Sequence, residues 1–441
     1  MPVPRALAAM ALPTIVSQLI TLVYNIADTW FIGRTNNPYM VAATSLCLTV
    51  FLMTVSISSL FGTGGGSQVA RLLGAKREDE AGKVASNCLV LAAAFALTFS
   101  LLCFVFMQPL LRALGASDDT IGYAHSYLMS VVVIGCLPTV MSNTMANMLR
   151  NVGHSAKASF GLGMGGILNI ILDPVFMFVI LPPGNEVMGA GIATMLSNCV
   201  AFLYFIICYI RLKNETVLAL PRRYEKTEAG SMRPVFSVGV PAALSLLLFD
   251  LTTITINRLT ASHGDLQLAA IGIVLKVERL SLNINIGISF GMMPLIAYNF
   301  AAKNYKRMKA FFSAARFAGL VAAFTSVVLY YIFAPALIRA FIADADTVAF
   351  GTQFLRARCF APPFMFLSFH MVNFFQAIGR GRESFLLAVI RQLVLNIPML
   401  VLFDHLFGMT GIVWTQVIAD VCNVVISYII YFRTVRFGEA S

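Results

Sequence analysis

Long apolar runs, broken by short polar connections, dominate the chain. Twelve of them are long enough to cross a bilayer, which takes about 20 apolar residues in a helix. They run near 10–33, 41–69, 85–108, 124–149, 159–182, 188–210, 236–260, 267–298, 312–334, 352–377, 385–405 and 410–432. Their length, and the absence of ten-residue alternation, predict helices rather than barrel strands. The expected fold is an all-α integral membrane protein of twelve spans. Residues 1–34 read as the first span rather than a cleaved leader. The run carries Gln18, Asn25 and Asp28 and ends without a small-residue cleavage site.

The polar connections set an orientation. With both termini in the cytoplasm, the inner side carries 22 Lys and Arg against 4 on the outer side, Arg34, Arg112, Arg258 and Arg339. This is the bias expected of a protein in the cytoplasmic membrane. The longest polar stretch, 211–234, lies near mid-chain on the inner side. It includes Arg222 and Arg223. It predicts a cytoplasmic linker between an amino-terminal lobe, 1–210, and a carboxyl-terminal lobe, 235–441.

The two lobes resemble each other. Pro13 in ALPTIVSQL aligns with Pro241 in GVPAALSLL, Ala75-Lys76 with Ala302-Lys303, Leu128 with Leu355, and Asn169 with Asn396. The offset is 227 or 228 residues each time. Four matches in order at one offset predict a duplication of six spans. An even number of spans gives both copies the same orientation, so the repeat is parallel.

Composition agrees and removes alternatives. The chain is 59% hydrophobic and 12% charged, far too apolar for water to be its main solvent. Its net charge of +11 sits in the connections and sets topology, so no nucleic-acid partner is expected. The eight cysteines lie in apolar runs without C-x-x-C spacing, and the five histidines are scattered, so neither disulfides nor a zinc site are expected. No nucleophile constellation points to an enzyme. GTGGGSQ at 62–68 lacks the G-K-[ST] ending of a phosphate loop and reads as flexible or close-packed helix. With no nucleotide motif, an ion gradient is the expected energy source, and no cofactor is expected.

Ionisable residues inside spans are costly and point to function. Asp28 in span 1 shares a helix face with Tyr24 and Asn25. Asp173 in span 5 shares a face with Asn169 and precedes Pro174. That proline frees the carbonyl of Ile170, four residues back. A carboxylate, an amide and a freed carbonyl suit a cation. The second half holds Asp250, Glu278 and Asp420, with Lys276, Arg279 and Arg391 able to neutralise them. His370 reads as a hydrogen-bonded interior residue.

At these residues the chain resembles the multidrug and toxin extrusion family, in particular its bacterial MepA-like branch. The likeness rests on ALPTIVSQLITLVYNIADTWFIG in span 1, GAKRED and AKNYKR at matching places, NIILDP in span 5 and GAGIAT at 189–194. It implies an antiporter of two six-helix lobes around a central cavity. The coupling ion, sodium or proton, would be held by Asp28, Asn169, Asp173 and Thr194. Tyr24 would stand beside that site, and Pro13 would mark where span 1 bends. Asp250 matches an acid of the family's carboxyl lobe, while Asn373 stands where some members carry a span-10 acid. The amino-terminal lobe is therefore the expected coupling site. The expected cargo is a small organic cation, carried by a monomer in the bilayer. The competing expectation is a flippase for a lipid-linked sugar; such proteins often line the cavity with several Arg or Lys for pyrophosphate, whereas the amino-terminal lobe here offers acids and almost no interior cations.

Overall fold

The computed structural model describes residues 1–221, 224–228 and 230–435. Arg222 and Arg223 of the expected linker, and the terminal Arg436 counted on the inner side, lie outside the described residues. The regular structure of the described residues is all helical, without strands. The first half holds α1 (Val3–Gly33), α2 (Pro38–Gly74), α3 (Glu78–Val105), α4 (Met107–Ala113), α5 (Asp118–Leu128), α6 (Cys136–Asn151), α7 (Ser155–Val175) and α8 (Glu186–Leu212). The second holds α9 (Arg233–Ala261), α10 (Asp265–Ala301), α11 (Tyr305–Arg339), α12 (Ala345–Arg358), α13 (Ala361–Ala377), α14 (Gly381–Val389), α15 (Ile397–Phe407) and α16 (Met409–Thr434).

Among the described residues, 10 helices are long and apolar enough to span a membrane, and 11 if α5 and α6 count as one span bent by 47°. A π-helical turn, Met129–Ile134, precedes that bend at Gly135. The remaining expected span, 352–377, is α12 and α13. It is broken at Cys359–Phe360, and Arg356 and Arg358 end α12, so neither α12, of 14 residues, nor α13, of 17, is long enough to span by itself. A second π-helical stretch, Ile390–Asn396, joins α14 to α15.

Two compact units group the chain. One is Val16–Ala243; the other joins Met1–Ile15 to the chain from Leu244 onward. In the first, Gly64 of α2 meets the backbone of Val235 in α9, and Gly239 meets that of Leu60. A Cβ at these glycines would lie 2.3 Å from the Val235 oxygen and 2.0 Å from the Leu60 oxygen. In the other unit, a Cβ on Gly291 of α10 would lie 2.6 Å from the Cα of Ala11 in α1. Small residues let helix backbones approach this closely. Gly64 and Gly291 are 227 residues apart, the offset read from the sequence. The GTGGGSQ segment is helical throughout and packs on α6. Gly62 lies against Asn147, and Gly66 against Asn151.

The described part of the linker lies along the start of α3. Leu218 is fully buried in the core of that unit. The Asn87 amide donates to the Glu225 carbonyl at 2.8 Å and accepts from its N–H at 2.7 Å. The Glu228 N–H donates to the Glu80 carboxylate at 2.9 Å, and the Glu228 side chain pairs with Arg77.

Candidate coupling site

The amino-terminal site is assembled from α1, α7 and α8. Gly163 and Gly166 of α7 lie against Ile20 and Tyr24 of α1. A Cβ on Gly166 would be 3.0 Å from Ile20 and 3.1 Å from the Tyr24 ring. This close approach brings the carboxylates of Asp28 and Asp173 within electrostatic reach of each other and of Tyr24. α1 is one continuous helix through Pro13. Along it Thr21, Asn25 and Thr29 each bond back to a carbonyl one turn earlier, at 2.9, 2.8 and 2.9 Å. Asn25 is thus spent on its own helix.

Asn169 is the centre of the polar contacts. Its amide donates to the Asp173 carboxylate at 3.1 Å and to the Thr194 hydroxyl at 3.2 Å. Asp173 is fully buried and Asn169 nearly so. Pro174 sits in the last turn of α7, and the chain continues as a π-helical turn, Phe176–Ile180. Three buried acceptor oxygens have no hydrogen-bond donor among the described residues: one each on Asp28, Asn169 and Asp173. A buried acceptor without a donor costs about 1–3 kcal/mol. A proton or a small cation would relieve that cost.

Sequence reasoning missed Tyr127 of α5. It packs beside Ile32, Met177 and Ala190, and Asp28, Asp173 and Tyr24 all act on it electrostatically. Span 4 carries no acid to draw attention to it. Only the glycine-lined approach of α8, where a Cβ on Gly191 would lie 3.4 Å from the Tyr127 carbonyl, gives a signal.

The carboxyl-terminal acids are arranged differently. Glu278 forms a two-point ion pair with Arg358, at 2.8 and 2.9 Å, both residues buried. Arg391 donates to Asp420 at 2.6 Å, and Gln416 donates to its other oxygen at 2.6 Å. Arg391 is the counter-ion expected for this lobe. Arg358, not Lys276 or Arg279, is the partner of Glu278. Lys276 and Arg279 are its chain neighbours, and adjacent residues on a helix face different ways. Asp250 is half-buried within electrostatic reach of Arg279. Asn373 turns its amide back to the Phe369 carbonyl at 2.8 Å. His370 is buried and stacks on Phe312, with ring centroids 4.5 Å apart.

A duplicated helical membrane fold with a buried carboxylate–amide cluster in one half defines a multi-pass transporter-type protein. A family profile described as MatE matches residues 13–175 and again 241–402, so the chain belongs to the MatE family. The two matches begin 228 residues apart and end 227 apart, as the repeat requires. The chain is 29% identical over 428 residues to the multidrug export protein MepA of Staphylococcus haemolyticus (strain JCSC1435), covering 97% of this chain and 93% of that one. It is 29% identical over 431 residues to MepA of Staphylococcus aureus (strain MSSA476), covering 98% and 94%. Its fold is similar to that of a multidrug resistance MATE family transporter of the MOP superfamily solved in an outward-facing conformation. The TM-score is 0.90 at 22% identity, over 97% of this chain and 95% of that one.

Proposed function

We propose that this protein is an antiporter that exports small organic cations by alternating access, driven by a sodium or proton gradient. Its relatives are named multidrug export proteins. The observation that carries the coupling reading is the set of three donor-less buried oxygens on Asp28, Asn169 and Asp173. Two carboxylates facing each other repel unless a proton or cation joins them. Binding an ion therefore draws α1 and α7 together, and its loss lets them separate. α1 carries Asp28 and so transmits the change. One charge crossing 100 mV supplies roughly 2.3 kcal/mol.

In this reading the protein is a monomer in the cytoplasmic membrane with both termini inside. Its lobes are joined in sequence by the 211–234 linker. The lipid-linked-sugar alternative needs free cations for a pyrophosphate. Arg358 and Arg391 are instead paired with Glu278 and Asp420, which favours the antiporter.

The test is efflux of a cationic dye from vesicles under separately imposed sodium and proton gradients. Asp28→Asn and Asp173→Asn should each abolish gradient-driven efflux while the protein stays folded, and Asp250→Asn should retain most of it. An active Asp173→Asn with a dead Asp250→Asn would move the coupling site to the carboxyl-terminal lobe.

A further inference from the structure

The loops at Lys76 and Lys303 are equivalent copies with different charge patterns. After Lys76 come Arg77, Glu78, Asp79, Glu80 and Lys83, so acids and bases balance. After Lys303 come Lys306, Arg307, Lys309 and Arg316, with no acid. At the shared offset Asp79 and Glu80 correspond to Lys306 and Arg307, a reversal of sign. The first loop also carries the linker, through Glu228 on Arg77. Arg307 reaches the Met1 carbonyl at 2.9 Å, and Arg316 lies over the Phe312 ring. Lys306 and Lys309 are exposed, and neither has an ion-pair partner among the described residues.

The same helix carries a long apolar face. Phe317, Leu320, Val321, Phe324, Val328 and Leu329 line a shallow groove of about 620 Å³ on α11. Phe317 is 72% exposed and Phe324 58%. Helical geometry aligns the two features, since roughly three turns separate Lys306 from Phe317 and Lys309 from Leu320. Between them the exposed positions on this face are Ala310 and Ser313; Arg316, two turns above Lys309, is half-buried and turned onto Phe312 and Tyr428, leaving a step about one headgroup deep. A pair of cations, a step without bulk and an apolar groove in line match the phosphate, the glycerol and the acyl chains of a lipid.

We propose that this face of α11 is a binding site for an anionic phospholipid, with its phosphate on Lys306 and Lys309 and its chains along Phe317–Leu329. The proposal rests on the chain lying in a bilayer, not on what it transports. Charge complementarity selects the headgroup, because a zwitterionic lipid would carry its own cation against the lysines.

The full-length protein in detergent, titrated with phosphatidylglycerol and with phosphatidylcholine of the same chains, tests it by native mass spectrometry. Phosphatidylglycerol should bind the wild-type protein at least about tenfold more tightly, since each lysine near an anionic surface contributes on the order of 1 kcal/mol. K306Q/K309Q should lose that preference, and K76Q/K83Q should keep it. If K306Q/K309Q does not fold, Ser313→Glu, which leaves both lysines in place, should lose the preference by repulsion. Equal binding of the two lipids by the wild type would overturn the proposal. So would an unchanged preference in K306Q/K309Q or Ser313→Glu, or full competition by soluble glycerol phosphate.

Discussion

Lys76 and Lys303 both adopt the left-handed backbone conformation, with φ of 59° and 57°. Each follows a long helix and closes the same hydrogen bonds. The Lys76 N–H bonds to the Leu73 carbonyl and that of Lys303 to the Phe300 carbonyl, both at 3.0 Å. A lysine there costs roughly 1–2 kcal/mol relative to glycine's freedom, so both copies keep a turn that local preference opposes. The next residue in each copy bonds back five positions, Arg77 to Leu72 and Asn304 to Asn299, at 2.9 Å. That shared reach back over α2 and α10 is what the turn secures.

Substitution at Lys303 should therefore follow backbone preference rather than charge. Lys303→Gly should leave the thermal midpoint of the purified protein within error or raise it. Lys303→Val should lower stability by roughly 1–2 kcal/mol, because a β-branched residue is a poor fit at positive φ. Equal midpoints for the two variants would show that the turn relaxes.

Thr194 holds Asn169, and Asn169 holds Asp173, through bonds of 3.2 and 3.1 Å. Thr194→Val keeps the shape and removes the acceptor. Losing one neutral hydrogen bond costs about 1 kcal/mol, so coupled dye efflux should fall roughly five-fold. Thr194→Ser should restore it. A fully active Thr194→Val would remove Thr194 from the site.

The spans and the repeat were legible because each is written in consecutive residues: apolar runs for one, a constant offset for the other. Asn169 and Asp173 were legible for the same reason, lying one turn apart on one helix. The partner of Glu278 was not. Arg358 is 80 positions away, and no local pattern distinguishes it from Arg356, which instead reaches the Tyr331 carbonyl. Tyr127 was hidden likewise, a tyrosine among many until α5 packs beside α1.

Removing one member of the Glu278–Arg358 pair should be costly. Arg358→Met leaves a buried carboxylate without a counter-ion, which typically costs 3–5 kcal/mol. The double variant Glu278→Gln/Arg358→Met removes both charges and should regain most of that stability. Thermal unfolding of the three proteins in detergent measures it. A double variant no better than the single would mean that the fold depends on the guanidinium for more than charge.

Gly166 controls how near α1 comes to α7. Its replacement by Ala places a Cβ about 3.0 Å from Ile20, tight enough to press on a flexible side chain. Gly166→Leu has no such escape and must push α1 away, separating Asp28 from Asp173. Efflux should fall modestly for Gly166→Ala and be lost for Gly166→Leu, with both proteins inserted in the membrane at wild-type levels. Normal efflux from Gly166→Leu would mean that the two carboxylates need not act together.

The linker offers a prediction that separates topology from packing. Glu225 is exposed as a side chain, yet both its backbone groups are held by Asn87. A cysteine at 225 should react with a membrane-impermeant thiol reagent only from the cytoplasmic side; labelling from outside alone would reverse the orientation. Asn87 is fully buried, so Asn87→Leu keeps volume but breaks both bonds and leaves the linker held by Leu218 on one side and, three residues beyond Glu225, by the Glu228 contacts with Glu80 and Arg77. An exposed ion pair contributes little, about 0–1 kcal/mol, so the segment around Glu225 should detach. Trypsin added to inside-out vesicles should then cleave after Lys226 several-fold faster than in the wild type, while sites in α3 stay protected. Unchanged cleavage would show that burial of Leu218 and the Glu228 contacts, not the amide clamp, fix the linker to its unit.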